Sequence, residues 1–333
     1  MVINSDSNRI LNIDLSIVIV SWNVCQLLKQ CLESTYEQTN GLTIEIIVVD
    51  NDSQDETKHM LSTKFPDVKV IANEKNLGFA TANNQGLELS RGRYVALLNP
   101  DTVILSNALG KMVAYLESEA EVGVVGAKLL FPNGETQGGS AGFHPDFKTM
   151  FNYASFLSFL FPNRFRAIWL SRRAMKDSPV EVGWVSGACM VLRRHILEEV
   201  GLLNPSFFMY IEDIEWCARI GQQGWQIMFL GDVKIVHYSK ASSYQQKSGF
   251  ISKNLIMGFN FLYSEQYSRL AVVLLHLLGV ISFSSRAAVY QLATTLKMGV
   301  DENNKMALTM WHCAIYSFNF VRRYIKDGPD REE

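Results

Sequence analysis

IEIIVVDNDSQDET, residues 44–57, begins with an apolar, β-branched run and ends in a cluster of acidic, amide and hydroxyl residues. A short apolar run of this kind is typical of a strand that is buried on both faces of a parallel sheet. In the polar part, Ser53 and Glu56 have the spacing of a capping box, which predicts the start of a helix. The stretch therefore predicts a strand, a polar turn at Asp50, and a helix.

The same plan is found on both sides of this unit. Upstream, LSIVIV (15–20) predicts a strand, and Asn23 is predicted to cap the helix that follows it. Downstream, VKVIAN (68–73) and YVALLN (94–99) predict two further strands, with a helix over 80–90 between them. Strands that alternate with helices are typical of a doubly wound α/β sheet.

The composition is that of a globular protein. Among 333 residues, 31 Lys+Arg and 33 Asp+Glu give a net charge of −2, which does not favour a nucleic-acid partner. The five cysteines are scattered and form no C-x-x-C pair, which fits reduced thiols better than a disulfide framework or a zinc site. The opening MVINSDSNRILNIDLS (1–16) is polar and lacks the apolar run of a secretory signal. We therefore expect a cytoplasmic location and no nucleic-acid binding.

Polar residues follow each of the first four predicted strands. Because ligands of open α/β sheets bind outside the carboxyl ends of the strands, these residues are candidates for ligand binding. Their oxygens can bind the hydroxyls of a nucleotide or hold a divalent cation between two phosphates. Taken singly, each position is also a good turn residue, which is the alternative interpretation. The candidates are Ser21, Asn23, Asp50, Asp52, Asn76, Gly78, Asn99 and Asp101.

In combination, ordered sequence blocks from about Leu15 to Ser243 resemble glycosyltransferase family 2. In the block YVALLNPDT (94–102), Asn99 stands at the first acidic position of the family's Asp-x-Asp element and Asp101 at the second. The resulting Asn-Pro-Asp is similar to the variant of rhamnosyltransferase-like members. The resemblance implies a GT-A fold, in which a Rossmann-like, mostly parallel sheet is flanked by helices. The blocks are IVIVSWN (17–23), IIVVDNDSQDET (46–57), NLGFATANNQGL (76–87), YVALLNPDT (94–102), GWVSGACMVLRR (183–194) and FFMYIEDIEWCARIGQQGW (207–225).

The resemblance also implies an activity and assigns residues to it. It implies an inverting transferase that uses a nucleoside-diphosphate sugar and Mg²⁺ or Mn²⁺, with Asp101 and His237 at the metal. It assigns the catalytic base to Asp213, with Glu212 orienting the acceptor. Both acids begin a predicted helix, where the dipole favours an ionised carboxylate, so stabilisation of the helix start is the alternative role. Trp184 matches the acceptor side, although aromatic residues beside strands also belong to cores.

The chain is expected to have two regions. Residues 1–245 form the transferase domain, with an aromatic insert at about 140–180, and residues 246–333 form a helical C-terminal region. Within the latter, the apolar run 270–285 is shorter than the roughly 20 residues that span a bilayer, which favours a packed or interfacial helix. The run and the insert suggest a glycan or lipid-linked glycan acceptor and peripheral association with the inner membrane surface. The Asn-Pro-Asp variant suggests rhamnose as the donor sugar.

Two alternative functions stay open at the level of sequence. A nucleotide-dependent oxidoreductase would share the α/β units, but VSWNVCQ (20–26) stands where its G-x-G-x-x-G loop would follow the first strand. A catalytically silent sugar-binding or membrane-binding module is the other alternative. Such a module has no need of the acidic pair Glu212 and Asp213.

Overall fold

A computed structural model of the chain describes residues 13–238, 249–296 and 300–327. Its strands and helices are, in chain order, β1 (Leu15–Ser21), α1 (Cys25–Gln38), β2 (Ile44–Asp50), α2 (Thr57–Lys64), β3 (Lys69–Ala72), α3 (Phe79–Leu89), β4 (Tyr94–Leu98), β5 (Thr102–Ile104), α4 (Ala108–Ser118), β6 (Val122–Leu130), β7 (Ala141–Gly142), α5 (Phe147–Ala154), α6 (Leu157–Leu160), β8 (Pro179–Val182), β9 (Trp184–Val185), β10 (Cys189–Arg193), α7 (Ile196–Val200), α8 (Glu212–Gln222), β11 (Gln226–His237), α9 (Phe250–Gln266), α10 (Arg269–Thr295) and α11 (Val300–Asp327).

A mixed sheet of nine strands forms the centre of the described part of the chain. Eight of them follow the order β3-β2-β1-β4-β10-β6-β11-β5, and β8 pairs with β11. The pairs β1–β2, β1–β4, β2–β3 and β6–β11 are parallel, whereas β10 is antiparallel to both β4 and β6. The predicted α/β sheet, mostly parallel and flanked by helices, is confirmed. Because β1, β2 and β4 run in the same direction, the polar residues that follow them lie at one edge of the sheet.

Side chains of β1 divide the protein interior into two cores. Ile17 and Ile19 belong to the core that α1 and α4 cover, and Val18 belongs to the core on the opposite face. On the Val18 face, α3 approaches so closely that a Cβ on Gly86 would lie 2.4 Å from Val18 Cγ1. A strand buried on both faces therefore has the continuous apolar run from which it was predicted.

The predicted caps of α1 and α2 are wrong. Neither Asn23 nor Ser53 caps the helix that follows it. Asp55 serves both helices instead: its Oδ2 accepts from the backbone N–H of Cys25 (2.9 Å) and its Oδ1 from that of Thr57 (3.1 Å). The loops after β1 and β2 lie side by side at the sheet edge, so one carboxylate reaches two helix starts.

The C-terminal helices α9, α10 and α11 pack against one another, and α10 also packs against α5. Within the described ranges, α10 is the one helix long and apolar enough to cross a membrane, and 44% of its most apolar window is buried in the protein. The buried side of α10 includes the polar residues His276, Ser282 and Arg286. The predicted apolar run is thus part of a longer helix that packs along one side. The predicted domain boundary at residues 245 and 246 lies outside the described residues.

Candidate active site

Two buried polar atoms without hydrogen-bond partners lie next to each other at the carboxyl ends of β1 and β2. Ser21 and Asp50 are partners in the β1–β2 register, and both are fully buried. Asp50 Oδ1 accepts from the N–H of Ser53 (3.3 Å), but Asp50 Oδ2 and Ser21 Oγ have no hydrogen-bond partner among the described residues. Lys58 Nζ lies 3.7 Å from Asp50 Oδ2, which is an ion-pair distance and too long for a hydrogen bond. Buried polar atoms are nearly always satisfied, so this pair is suited to a polar ligand.

Asn23 and Asp52 lie at the same edge, where Asn23 bonds to the loop after β2 and Asp52 bonds within that loop. Both have positive φ angles, 53° and 69°. Asn23 Oδ1 accepts from the N–H of Gln54 (2.7 Å), and the N–H of Asn23 donates to Ser53 Oγ (3.0 Å). Asp52 Oδ1 accepts from Gln54 Nε2 (2.8 Å). These bonds join the loops after β1 and β2 and fix the walls of the cleft.

The loop that follows β3 is held by amide side chains. Asn51 Nδ2 donates to Asn76 Oδ1 (2.9 Å), which also accepts from the N–H of Gly78 (2.9 Å). Gly78 has a φ of +85°, and a Cβ at this position would lie 2.6 Å from the carbonyl oxygen of Phe208. Glycine is therefore required both by the backbone conformation and by the close approach. The contact joins the Asn76–Gly78 loop to the segment that leads into α8.

Asp101 and His237 are brought together at the other side of this edge. Asp101 Oδ1 lies 3.2 Å from His237 Nε2, and Asn99 Nδ2 lies 3.3 Å from the same ring nitrogen. His237 Nδ1 lies 3.0 Å from Gln137 Oε1. Gln137 Nε2 donates to the backbone carbonyls of His237 and Leu130, which fixes the orientation of the Gln137 amide. Gln137 Oε1 therefore accepts from Nδ1–H, and Nε2 is the ring nitrogen that faces Asp101 and Asn99.

This pair of residues has the donor chemistry of a divalent-cation site. Asp101 Oδ1 and His237 Nε2, 3.2 Å apart, are an oxygen and an imidazole nitrogen of the kinds that bind divalent cations, so one ion could contact both. Both side chains are nearly buried, so the charge of Asp101 is little screened by water. The described residues hold no cluster of three or more His, Cys, Asp or Glu side chains. Further ligands would come from water and from the phosphates of a substrate, as is common for Mg²⁺.

Glu212 and Asp213 form the first turn of α8 and differ in their surroundings. Asp213 is partly buried, and its carboxylate accepts from the N–H groups of Gly187 (3.1 Å) and Ile214 (2.9 Å). Burial raises the pKa of Asp213 to about 6 in spite of these donors. Burial, followed by the charge of Asp213, raises the pKa of Glu212 well above its ordinary value, and Glu212 Oε2 has no hydrogen-bond partner among the described residues. A carboxylate whose pKa is near the working pH suits general-base catalysis.

Two consecutive backbone groups link the acidic pair to the Asn99–Asp101 segment. The N–H of Gly187 donates to Asp213, and the carbonyl of Ala188 accepts from the N–H of Asn99 (3.0 Å). The candidate base and the segment that carries Asp101 therefore border the same short loop between β9 and β10. Together with the contact of Gly78 with Phe208, this link brings residues from four of the six sequence blocks to one edge of the sheet.

Trp184 lies in the core rather than on an open surface. Its side chain is 3% exposed, and its Nε1–H donates to the carbonyl of Ile168 (2.9 Å) in the aromatic insert. Trp216 is fully buried and donates to the carbonyl of Gly201 (2.9 Å). Trp184 thus fastens the insert to the sheet. Its role in acceptor binding stays a prediction.

Sequence reasoning missed Gln137 and Gly187. Gln137 belongs to the stretch PNGETQGG (132–139), whose composition predicts a turn-rich loop, and its partner His237 is 100 residues away. Gly187 contributes a backbone N–H, which has no side-chain signature. Neither contact follows from local spacing.

Comparisons with known proteins identify the family of the chain. The sequence model described as glycosyl transferase family 2 matches residues 16–201. An N-acetylglucosaminyl-diphospho-decaprenol L-rhamnosyltransferase of Mycobacterium tuberculosis is 24% identical over 211 residues, which cover 60% of this chain and 68% of that protein. A low-salt glycan biosynthesis hexosyltransferase of Haloferax volcanii is 27% identical over 276 residues, which cover 80% of this chain and 81% of that protein.

A solved structure has the same fold. The mannosyltransferase of Pyrobaculum calidifontis in complex with GDP-Man and Mn²⁺ aligns with a TM-score of 0.56 and 17% sequence identity. The alignment covers 92% of this chain and 87% of the mannosyltransferase chain. At this identity the likeness establishes the fold alone, a GT-A sheet with C-terminal helices.

Proposed function

The chain belongs to glycosyl transferase family 2 and is a glycosyltransferase, and from this premise we propose that it transfers a sugar from a nucleoside diphosphate to an acceptor hydroxyl with inversion. The observation that carries the proposal is the backbone link through Gly187 and Ala188. Through this link the acid pair of α8 lies beside the Asn99–Asp101 segment, which supports a base and a diphosphate site that share one cleft. A transferase of this kind needs both.

The donor nucleoside binds at the ends of β1 and β2 in this proposal. Ser21 Oγ and Asp50 Oδ2 are buried and have no hydrogen-bond partner among the described residues, and they can accept from the N–H of a base or from ribose hydroxyls. Asn76 and Gly78 shape the adjoining loop. The complex of the Pyrobaculum mannosyltransferase with GDP-Man and Mn²⁺ supports a nucleotide-sugar donor.

Asp101 and His237 hold Mg²⁺ or Mn²⁺ in the proposed site. When bound, such an ion neutralises the charge that develops on the departing diphosphate. Gln137 is a positioning residue: it holds the imidazole in the tautomer whose Nε2 faces Asp101. Histidine ligands of metals commonly donate their second N–H in this way, which fixes the ring.

Asp213 acts as the base that takes the proton of the acceptor hydroxyl. Its raised pKa makes it a stronger base than an ordinary aspartate, while it is still ionised near neutral pH. Burial and the charge of Asp213 raise the pKa of Glu212 well above its ordinary value, which favours the protonated form; in that form Glu212 can donate a hydrogen bond to the acceptor oxygen but is a poor nucleophile. One base and no nucleophilic carboxylate imply direct displacement with inversion, whereas retention by double displacement needs a covalent intermediate.

We assign a lipid-linked glycan as the acceptor and rhamnose as the transferred sugar. The mycobacterial relative is named for both, at 24% identity. The Asn-Pro-Asp element at residues 99–101 supports the same sugar through its resemblance to rhamnosyltransferase-like members. An acceptor of this kind places the enzyme at the inner face of a membrane.

The test compares Asp213→Asn with Asp67→Asn, the same chemical change at an exposed position. Loss of a general base lowers the rate about 10²–10⁴-fold, so transfer by the first variant should fall by this factor and transfer by the second should not change. Thermal stabilisation by a panel of nucleotide sugars, with and without Mn²⁺, identifies the donor, because a ligand that binds the native state raises Tm. Wild-type transfer by Asp213→Asn, or tight acceptor binding without donor or Mn²⁺ affinity, would contradict the proposal.

A further inference from the structure

The insert between β7 and β8 carries a charge unlike that of the rest of the protein. Residues 147–176 contain no Asp or Glu, whereas the whole chain has a net charge of −2. The six cations of this segment are Lys148, Arg164, Arg166, Arg172, Arg173 and Lys176. The segment is therefore a local positive region on a slightly acidic protein, which favours an anionic partner.

The same segment exposes three consecutive large apolar side chains. Phe159, Leu160 and Phe161 are 56%, 60% and 56% exposed. Single exposed apolar residues are ordinary, but a contiguous apolar group bordered by polar residues marks a surface that another molecule covers. We refer to residues 159–161 as the tip.

The arginines that flank the tip are exposed and are not neutralised by acids. In the part of the chain that the structure describes, Arg164, Arg166, Arg172 and Arg173 take part in none of the ion pairs. Arg173 lies over the ring of Phe159, 5.3 Å from its centroid, so one of the charges adjoins the tip directly. An exposed guanidinium can bind phosphate oxygens through two parallel hydrogen bonds.

The base of the insert is fixed to α10. Arg286 is 9% exposed, and its Nη2 donates to the carbonyl of Tyr153 (2.6 Å). Its guanidinium lies 3.4 Å from the ring centroid of Tyr153 and 4.4 Å from that of Phe156. The tip follows Phe156 by three residues, so its exposure is imposed by an anchored segment.

We propose that the tip and its flanking arginines dock on a bilayer that contains anionic phospholipids. Phe159, Leu160 and Phe161 enter the boundary between headgroups and acyl chains, and the guanidinium groups bind lipid phosphates. The proposal rests on the proposed function in one respect, since a lipid-linked acceptor lies in the same bilayer. Docking itself needs neither donor nor base.

The outer side of α10 is the competing surface. It exposes Leu270, Leu274 and Ile281, but of the two cations of the helix Arg286 is buried and Arg269, its first residue, is exposed. That surface therefore offers one exposed cation for anionic headgroups, whereas four exposed arginines flank the tip. Docking through the tip should therefore depend more strongly on the lipid charge than docking through the outer side of α10.

The test is co-sedimentation with vesicles of phosphatidylcholine, alone or mixed with phosphatidylglycerol. Wild type should bind the mixed vesicles, and the tip variant Phe159→Ser/Leu160→Ser/Phe161→Ser should bind them roughly tenfold or more weakly. Arg172→Gln/Arg173→Gln should lose most of the preference for the mixed vesicles. Two controls should bind as wild type: Val70→Ser/Leu89→Ser, which changes exposed apolar residues of the transferase domain, and Leu270→Ser/Leu274→Ser/Ile281→Ser on α10.

Stabilisation of each variant by a nucleotide sugar with Mn²⁺ serves as the folding control and should stay unchanged. If donor binding fails in wild type while vesicle binding follows the pattern above, the proposed function fails and the docking surface stands. The docking proposal is overturned if wild type does not bind mixed vesicles, if it binds both vesicle types equally, or if the α10 variant loses binding and the tip variant retains it. A tip that instead mediates dimerisation, seen as a lower mass of the tip variant in size-exclusion chromatography with light scattering, would also overturn it.

Discussion

Replacement of Gln137 by methionine should weaken Mn²⁺ binding without removing any residue that touches the ion. The change keeps the volume of the side chain but removes the acceptor for His237 Nδ1–H and the donor to the His237 carbonyl. The imidazole can then rotate or shift to the tautomer whose Nε2 carries the proton. In that tautomer Nε2 cannot bind a metal ion.

The magnitude follows from the kind of contact. Loss of the group that orients a metal-bound histidine typically costs 10–100-fold in affinity, or about 1.4–2.7 kcal/mol. A carbonyl of His237 left unpaired in a buried site also costs about 1–3 kcal/mol of folding stability. Stability alone therefore does not separate positioning from a structural role.

Gln137→Glu separates the two roles. A carboxylate keeps an acceptor for Nδ1–H but cannot donate to the His237 carbonyl when ionised, so this variant should lose stability and keep Mn²⁺ affinity. Glu135→Gln, an exposed change in the same loop, is the control for both measurements. Mn²⁺ affinity is measured by electron paramagnetic resonance of the free ion, and Tm by calorimetry. Equal Mn²⁺ affinity of the Met variant and wild type, or equal losses in the Met and Glu variants, would refute the reasoning.

Three further predictions concern other parts of the molecule. Asp213 must be ionised to act as the base, and its pKa is about 6, so kcat/KM should fall tenfold per pH unit below about pH 6. A value of kcat/KM that stays constant down to pH 5 would contradict this role. Burial lowers the pKa of His276 to about 3, so as the pH drops below 6.5 the unfolded state binds a proton before the folded state does. The free energy of unfolding of wild type, relative to that of His276→Phe, should therefore fall by about 1.4 kcal/mol per pH unit below 6.5. Urea denaturation of both proteins measures this difference. Gly78→Ala should lose more stability than Gly134→Ala and should also lower kcat/KM. Both glycines have positive φ, which costs alanine about 1–2 kcal/mol, but of the two only Gly78 meets the carbonyl of Phe208. Equal losses of stability would show that this contact contributes nothing.

The sheet was predictable because its central strands carry their burial in the sequence. β1 and β2 are buried on both faces and therefore read as continuous apolar runs with polar residues at their carboxyl ends. The direction of β10 was not predictable, since its apolar run is the same whether it pairs parallel or antiparallel with β4. Direction depends on the path of the preceding insert, whose aromatic residues show no clear period.

The helix caps show where local rules stop. Ser53 and Glu56 have the spacing of a capping box, yet the carboxylate of Asp55 reaches the start of α2 and, across the neighbouring loop, the start of α1. The capping rule considers residues close in sequence, whereas the parallel register of β1 and β2 brings two loops together. A side chain chosen by tertiary contact then replaces the local candidates.

The parts of the site that escaped sequence reasoning are those in which the backbone makes the contact. Gly78 meets the Phe208 carbonyl, and Gly187 donates its N–H to Asp213, so both contacts to the segment that carries the acid pair are made by backbone atoms, which the side-chain pattern does not reveal. Polar side chains at strand ends therefore locate the cleft, but they do not determine how its halves are joined. Since both contacts involve glycines against the segment that carries Asp213, a shift of the Asn76–Gly78 loop should change the surroundings of Asp213 directly. The pKa of Asp213 should consequently respond to the donor even though no donor-binding side chain contacts its carboxylate in the described structure.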